Sequence, residues 1–126
     1  MQYQCKTDEG QTFFDFCALM KHTRGDFAGQ PFILEDWQAE YFDQLLGTKD
    51  DKGLRQYRRT FVALARKSGK SAMLAALGLY MLLVDGEQGG EIIVAAGDRS
   101  QAALLHTAAK QFLESCPALA KMCRIY

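Results

Sequence analysis

The sequence predicts an α/β fold, in which N-terminal helices lead into the first β-α-β-α part of a parallel sheet. Three observations carry this reading. Two apolar, β-branched runs at 60–65 and 91–96 are each followed by a stretch with helical periodicity. Such an order calls for right-handed crossovers and parallel strands. The residues before 54 show helical patterns alone, and two strands do not complete a sheet, so the domain reads as incomplete.

In chain order, 1–10 is polar and without periodicity, and is expected to fray. Phe13, Phe14, Phe16, Cys17, Leu19 and Met20 then recur at helical spacing, and the helix ends at the basic residues 21–24 and Gly25. A loop follows to Pro31. A second helix opens near Leu34, with Glu35 and Asp36 where the helix dipole favours acids. Its apolar face is read as Trp37, Tyr41, Phe42, Leu45 and Leu46, and 47–53 is a turn. The run 60–65 is a strand buried on both faces. Residues 72–84 form a helix apolar almost all round, interrupted by Gly78. After a glycine-rich turn comes the second strand, 91–96. The last long helix, 100–116, is capped by Asp98 or Ser100 and buries Ala102, Leu104, Leu105, Ala108, Ala109, Phe112 and Leu113. Pro117 opens a short helical turn, and 123–126 starts a further strand.

Composition sets limits on function. A chain of 126 residues, 48% hydrophobic, suits one domain or part of one. Fifteen basic and fifteen acidic residues cancel, so there is no chain-wide attraction to nucleic acid or anionic membrane. Locally, Lys52, Arg55, Arg58, Arg59, Arg66, Lys67 and Lys70 follow one another with no acid between them. Such a stretch suits either a polyanionic ligand or a solvated loop. Cys5, Cys17, Cys116 and Cys123 lack C-x-x-C spacing and lie far from His22 and His106, which fits reduced thiols in a cytoplasmic protein. Neither histidine carries a functional signal. The N-terminus does not resemble a signal peptide. The uncharged run 71–84 would rise about 21 Å as a helix, too short to span a membrane.

The strongest chemical signal is the loop Ala65-Arg66-Lys67-Ser68-Gly69-Lys70-Ser71, between the first strand and the apolar helix. Loop amides and a helix N-terminus together form an anion cradle. Lys70 adds a mobile charge, and the Ser71 hydroxyl suits Mg²⁺. The standard P-loop pattern requires glycine at the position held by Leu64, so the loop is a variant.

That loop resembles the deviant Walker A loop of the large terminase subunits of tailed bacteriophages, the ATP-driven motors that package viral DNA. Three further segments resemble the family in order: Pro31-Phe32-Ile33-Leu34 through Trp37-Gln38, Arg55-Gln56-Tyr57-Arg58-Arg59, and Ala95 through Ala102. The resemblance implies a P-loop NTPase core binding ATP and Mg²⁺ through Ala65, Arg66, Lys67, Ser68, Gly69, Lys70 and Ser71. Lys70 would meet the β- and γ-phosphates and Ser71 the Mg²⁺. Arg66 would sense the γ-phosphate, a task suited to a planar guanidinium. Gln38 would read adenine with its amide donor and acceptor. Trp37 is either core or a stacking surface for the base. Gln101 either faces a nucleotide or DNA groove or sits in a helix's first turn. Arg55, Arg58 and Arg59 are a solvated face or contacts to DNA backbone.

On this reading, 1–53 is a helical region carrying the Trp-Gln element, and 54–126 is the N-terminal half of the ATPase core. The family continues with an acidic strand end, which holds Mg²⁺ and polarises water, and with a nuclease domain. Neither is matched here, so the chain alone is expected not to turn over ATP at a useful rate. Family partners are double-stranded viral DNA, the portal and the small terminase subunit, in the cytoplasm of a bacterial host. Two alternatives remain open: part of a helicase-like P-loop ATPase, or a non-catalytic module that self-associates through an exposed sheet edge.

Overall fold

The computed structural model describes residues 2–23, 25–65 and 69–125. Five helices follow one another: α1 (Asp8–Leu19), α2 (Asp36–Gly47), α3 (Lys70–Leu83), α4 (Arg99–Ser115) and the single turn α5 (Pro117–Ala120). α1 packs on α2, α3 packs on α4, α1 also meets α3, and α5 folds back on α4.

The predicted parallel sheet does not form among the described residues. The only β pairing there is two isolated antiparallel bridges, Lys21 with Pro31 and Lys49 with Arg55. The runs 60–65 and 91–96 lack regular secondary structure, as do residues 123–125, where the sequence predicts the start of a further strand. The expectation that 60–65 is buried on both faces also fails, because Phe61 is 90% exposed. In the second run Ile93 is 78% exposed. The physical reason is that β-branched composition favours an extended backbone but supplies no ladder. A ladder needs a neighbour in register, and neither run finds one. Each leans on a helix instead. Thr60 Oγ1 shares a 2.5 Å hydrogen bond with Tyr41 Oη of α2. Ile92 lies beside Gly78 of α3, where an added Cβ would be 3.6 Å from its methyl group.

The helices begin close to where the sequence places them. Asp98 caps α4, its Oδ1 accepting from Gln101 N at 2.9 Å and Ser100 Oγ at 2.5 Å. Those donors hold its carboxyl below the usual range. α1 starts earlier than expected, because Thr7 is its N-cap and accepts from Gly10 N at 3.0 Å. The N-terminal segment does not fray either. Asp43 of α2, only 2% exposed, accepts from Tyr3 Oη (2.8 Å), Lys6 N (2.7 Å), Thr7 N (3.1 Å) and Thr7 Oγ1 (2.5 Å). Burial pushes this carboxyl up, but the donors outweigh it and hold it below the ordinary aspartate range. Tyr3 N also donates to Asp36 Oδ1 at 2.5 Å. Gly10 allows this approach, since a Cβ there would lie 2.0 Å from Asp43 Oδ1.

The core is built from aromatic rings of α1, α2 and α3. Phe13 packs on Phe42 with centroids 4.5 Å apart and edge-on to Tyr80 at 5.2 Å. Phe32 and Phe112 extend the core toward α4, 5.2 Å apart. Of the stripe expected on α4, Phe112 and Leu113 are buried, whereas Leu104 is exposed. Arg55 ties the elements from outside: its guanidinium bridges Glu9 (2.9 Å) and Asp85 (2.7 Å), and Nε donates to Leu46 O at 3.3 Å. Between α3, the run 92–95, α4 and 123–125 lies an open apolar groove of about 630 Å³, with Leu74, Leu82, Ile93 and Leu105 on its walls.

Candidate functional site

The mouth of α3 is set by one backbone choice. Gly69 is its N-cap with φ of +80°, a left-handed conformation that glycine enters without the steric cost of a side chain. The first helical bond runs from Met73 N to Gly69 O at 3.1 Å. Lys70 and Ser71 therefore occupy the opening turn, whose N–H groups have no partner within the helix. Anions favour that end of a helix dipole.

Gln38 meets this mouth from α2. It is 5% exposed, and its Oε1 accepts from Glu35 N at 2.9 Å, capping α2. Its Nε2 points at α3, 3.9 Å from Met73 Sδ and 3.9 Å from where a Gly69 Cβ would stand. Gly69 and Met73 are one turn apart, so both face Gln38. The amide oxygen keeps a second lone pair, and among the described residues the nitrogen meets a weak sulfur acceptor. Such an amide can still pair with a donor–acceptor edge brought to the mouth.

Lys70 is half-buried and its Nζ donates to Leu64 O at 3.2 Å, holding the ammonium against the incoming chain. Ser71 is exposed, and Ala65 is exposed on the other side of the loop. Arg66, Lys67 and Ser68 lie outside the described residues. The structure thus brings Gln38, Gly69 and Lys70 to one place.

Trp37 departs from the helical face first assigned to it. It is 39% exposed, and its Nε1 donates to Glu35 Oε2 at 2.7 Å. The buried face of α2 is Gln38, Ala39, Phe42, Asp43 and Leu46. Gln101 is exposed in the first turn of α4, its backbone N–H serving the Asp98 cap. Arg55 is taken up by Glu9 and Asp85, whereas Arg58 and Arg59 stand exposed just before the run to Leu64.

Ser71 lies about 200° round the helix from Gly69 and faces away from Gln38. There it lines a notch of about 270 Å³ with His22, Thr23, Ala72, Gln111 and Phe112 among its walls. Sequence spacing could not reveal this grouping, because its members come from the 20–32 loop, α3 and α4. Met73 was legible as the residue one turn beyond Gly69, yet nothing in its type marked it as a partner of Gln38.

Among the described residues no group of three or more His, Cys, Asp or Glu side chains could hold a metal ion. No helix of the described residues is long and apolar enough to cross a membrane.

No curated protein and no solved structure matches the chain. A family model does: that of the terminase large subunit, ATPase domain, over residues 36–125. The match takes in Gln38, Gly69, Lys70 and Ser71 together with α2, α3 and α4. The chain belongs to the family of terminase large-subunit ATPase domains.

Proposed function

We propose that this chain is the ATP-binding part of a phage or prophage DNA-packaging motor. Residues 1–53 supply the adenine side of the site, and 54–126 the phosphate side. ATP and Mg²⁺ are its ligands. Double-stranded viral DNA, the portal and the small terminase subunit are the partners of the assembled machine, which also cuts the concatemer. One observation carries the nucleotide reading: the buried Gln38 amide meets Gly69 at the start of α3.

The chemistry follows from that meeting. The base edge pairs with the Gln38 amide, which offers a donor and an acceptor side by side. The phosphates cap the opening turn of α3, where Lys70 exchanges its Leu64 carbonyl for a phosphate oxygen. That exchange is favourable because a charge-assisted bond replaces a weaker one. Ser71 takes the Mg²⁺ that the phosphates bring, and Arg66 senses the γ-phosphate. The exposed Arg58 and Arg59 are suited to DNA backbone, where each arginine contact releases counterions.

Base discrimination tests the reading. Mg·ATP should bind more tightly than Mg·GTP, and Gln38→Ala should reduce that preference by about tenfold, the order expected for losing hydrogen bonds from one buried amide. Equal affinity for the two nucleotides in the unmodified chain would contradict it.

A further inference from the structure

The two flanks of the α3 mouth differ. Gln38 lies beside Gly69 on one, while Ser71 on the other lines the notch. A nucleotide with its base at Gln38 and its phosphates on the first turn runs across the helix end toward Ser71. Ser71 itself lines the notch, about 270 Å³ in volume.

We propose that this notch receives the terminal-phosphate end of the nucleotide, and that His22, Thr23 and Gln111 set a preference for triphosphate over diphosphate. The proposal rests on the nucleotide-binding reading above and assigns residues to that site which lie outside its loop.

Three features of the notch argue for it. Among the described residues, its polar wall holds an imidazole, two hydroxyls and a carboxamide, and no carboxylate. The His22 imidazole and the Gln111 amide are the donors this wall offers an anion, since the Thr23 hydroxyl proton goes to Gln111 and Ser71 is assigned to the cation. Second, Thr23 Oγ1 donates to Gln111 Oε1 at 3.2 Å. That bond engages the amide oxygen and leaves the amide nitrogen as the donor Gln111 can offer. Third, His22 is held in place before any ligand arrives. Its backbone N donates to Gln30 O at 2.9 Å and its carbonyl accepts from Gly29 N at 2.8 Å. The neighbouring Lys21 N donates to Ser115 Oγ of α4 at 3.0 Å. The imidazole stands edge-on to Phe32 at 5.1 Å, with Phe27 5.8 Å away. Donors fixed in this way lose little freedom on binding.

The experiment is a pair of calorimetric titrations, with Mg·AMP-PNP and with Mg·ADP, on the full chain and its variants. The unmodified chain should bind the triphosphate analogue more tightly. Thr23→Ala, Gln111→Ala and His22→Ala should each shrink the ratio of the two affinities by about three- to tenfold, the range of one lost hydrogen bond. Their ADP affinity should stay close to that of the unmodified chain. His22→Gln, which keeps a donor, should restore part of the ratio. If His22→Ala fails to fold because its ring packs on Phe32, the exposed Thr23 and half-buried Gln111 carry the test. An unchanged ratio in these variants, with both nucleotides lost in Lys70→Ala, overturns the notch and leaves the nucleotide site standing. Equal affinity of the unmodified chain for both nucleotides also overturns the notch. Failure of the unmodified chain to bind either overturns both.

Discussion

Asp43→Ala should be among the most damaging substitutions in this chain, and its effect can be worked from four hydrogen bonds. The carboxylate accepts from Tyr3 Oη, Lys6 N, Thr7 N and Thr7 Oγ1. It thereby clamps the segment before α1 to the middle of α2, the helix that carries Gln38. A hydrogen bond to a charged group contributes about 1.5–3 kcal/mol, and donors left without partners add their own cost. The four share one acceptor and are not additive, so the loss is about 4 kcal/mol, a large part of the ~5–15 kcal/mol that holds a domain of this size. With an unfolding entropy of roughly 2.1 cal/mol/K per residue over 126 residues, that lowers Tm by about 15 °C. Asp43→Asn keeps an acceptor but loses the charge, and should cost about half as much. Urea melts followed by circular dichroism give both values. A loss below about 1 kcal/mol for Asp43→Ala would refute the clamp.

Three further predictions follow from the same contacts. Asp43 and Glu9 are both held below their ordinary values of 3.8 and 4.5, in each case by donors that outweigh burial. Their stabilisation is present above the unfolded pKa and is lost as pH falls through the lower folded values, so urea melts should weaken below about pH 4 and Asp43→Asn should flatten that limb. Tyr3 is displaced the other way, to about 12, first by its hydrogen bond to Asp43 and then by burial. Stability should therefore decline as pH rises from 10 through about 12, and Tyr3→Phe should lack that component. Burial pushes the Cys17 thiol up, so in the native chain a thiol reagent followed by mass mapping should label the partly exposed Cys5, Cys116 and Cys123 and spare Cys17 until urea is added.

The helices were legible because their signals are local. Acids at 35 and 36, Asp98 before Ser100 and the apolar run from 72 onward each mark an element by its own residues. Strand pairing was not legible, because 60–65 and 91–96 show what their backbones favour and not what they pair with. On α2, Phe42 and Leu46 are buried as the sequence predicts, but the buried face turns toward Gln38, Ala39 and Asp43 and away from Trp37. The larger aromatics Trp37 and Tyr41 drew the apolar face toward themselves, whereas Gln38, Ala39, Phe42, Asp43 and Leu46 are the buried set. Polar residues buried by partners far away in sequence evade any periodic pattern. Asp43 is the clearest case, since its donors lie 36 to 40 residues earlier. The family resemblance singled out Gln38, but that its amide is buried against Gly69 and Met73 is a fact of the folded chain alone.

The central claim is that the mouth of α3 holds the phosphates of a nucleotide, and titration of the chain with Mg·ATP tests it most directly. One nucleotide per chain should bind saturably, and Lys70→Ala should weaken that binding about tenfold to a hundredfold, the scale of one charge-assisted contact to phosphate. The circular dichroism spectrum of that variant should match that of the unmodified chain. No saturable binding, or binding equally tight in Lys70→Ala, would contradict it.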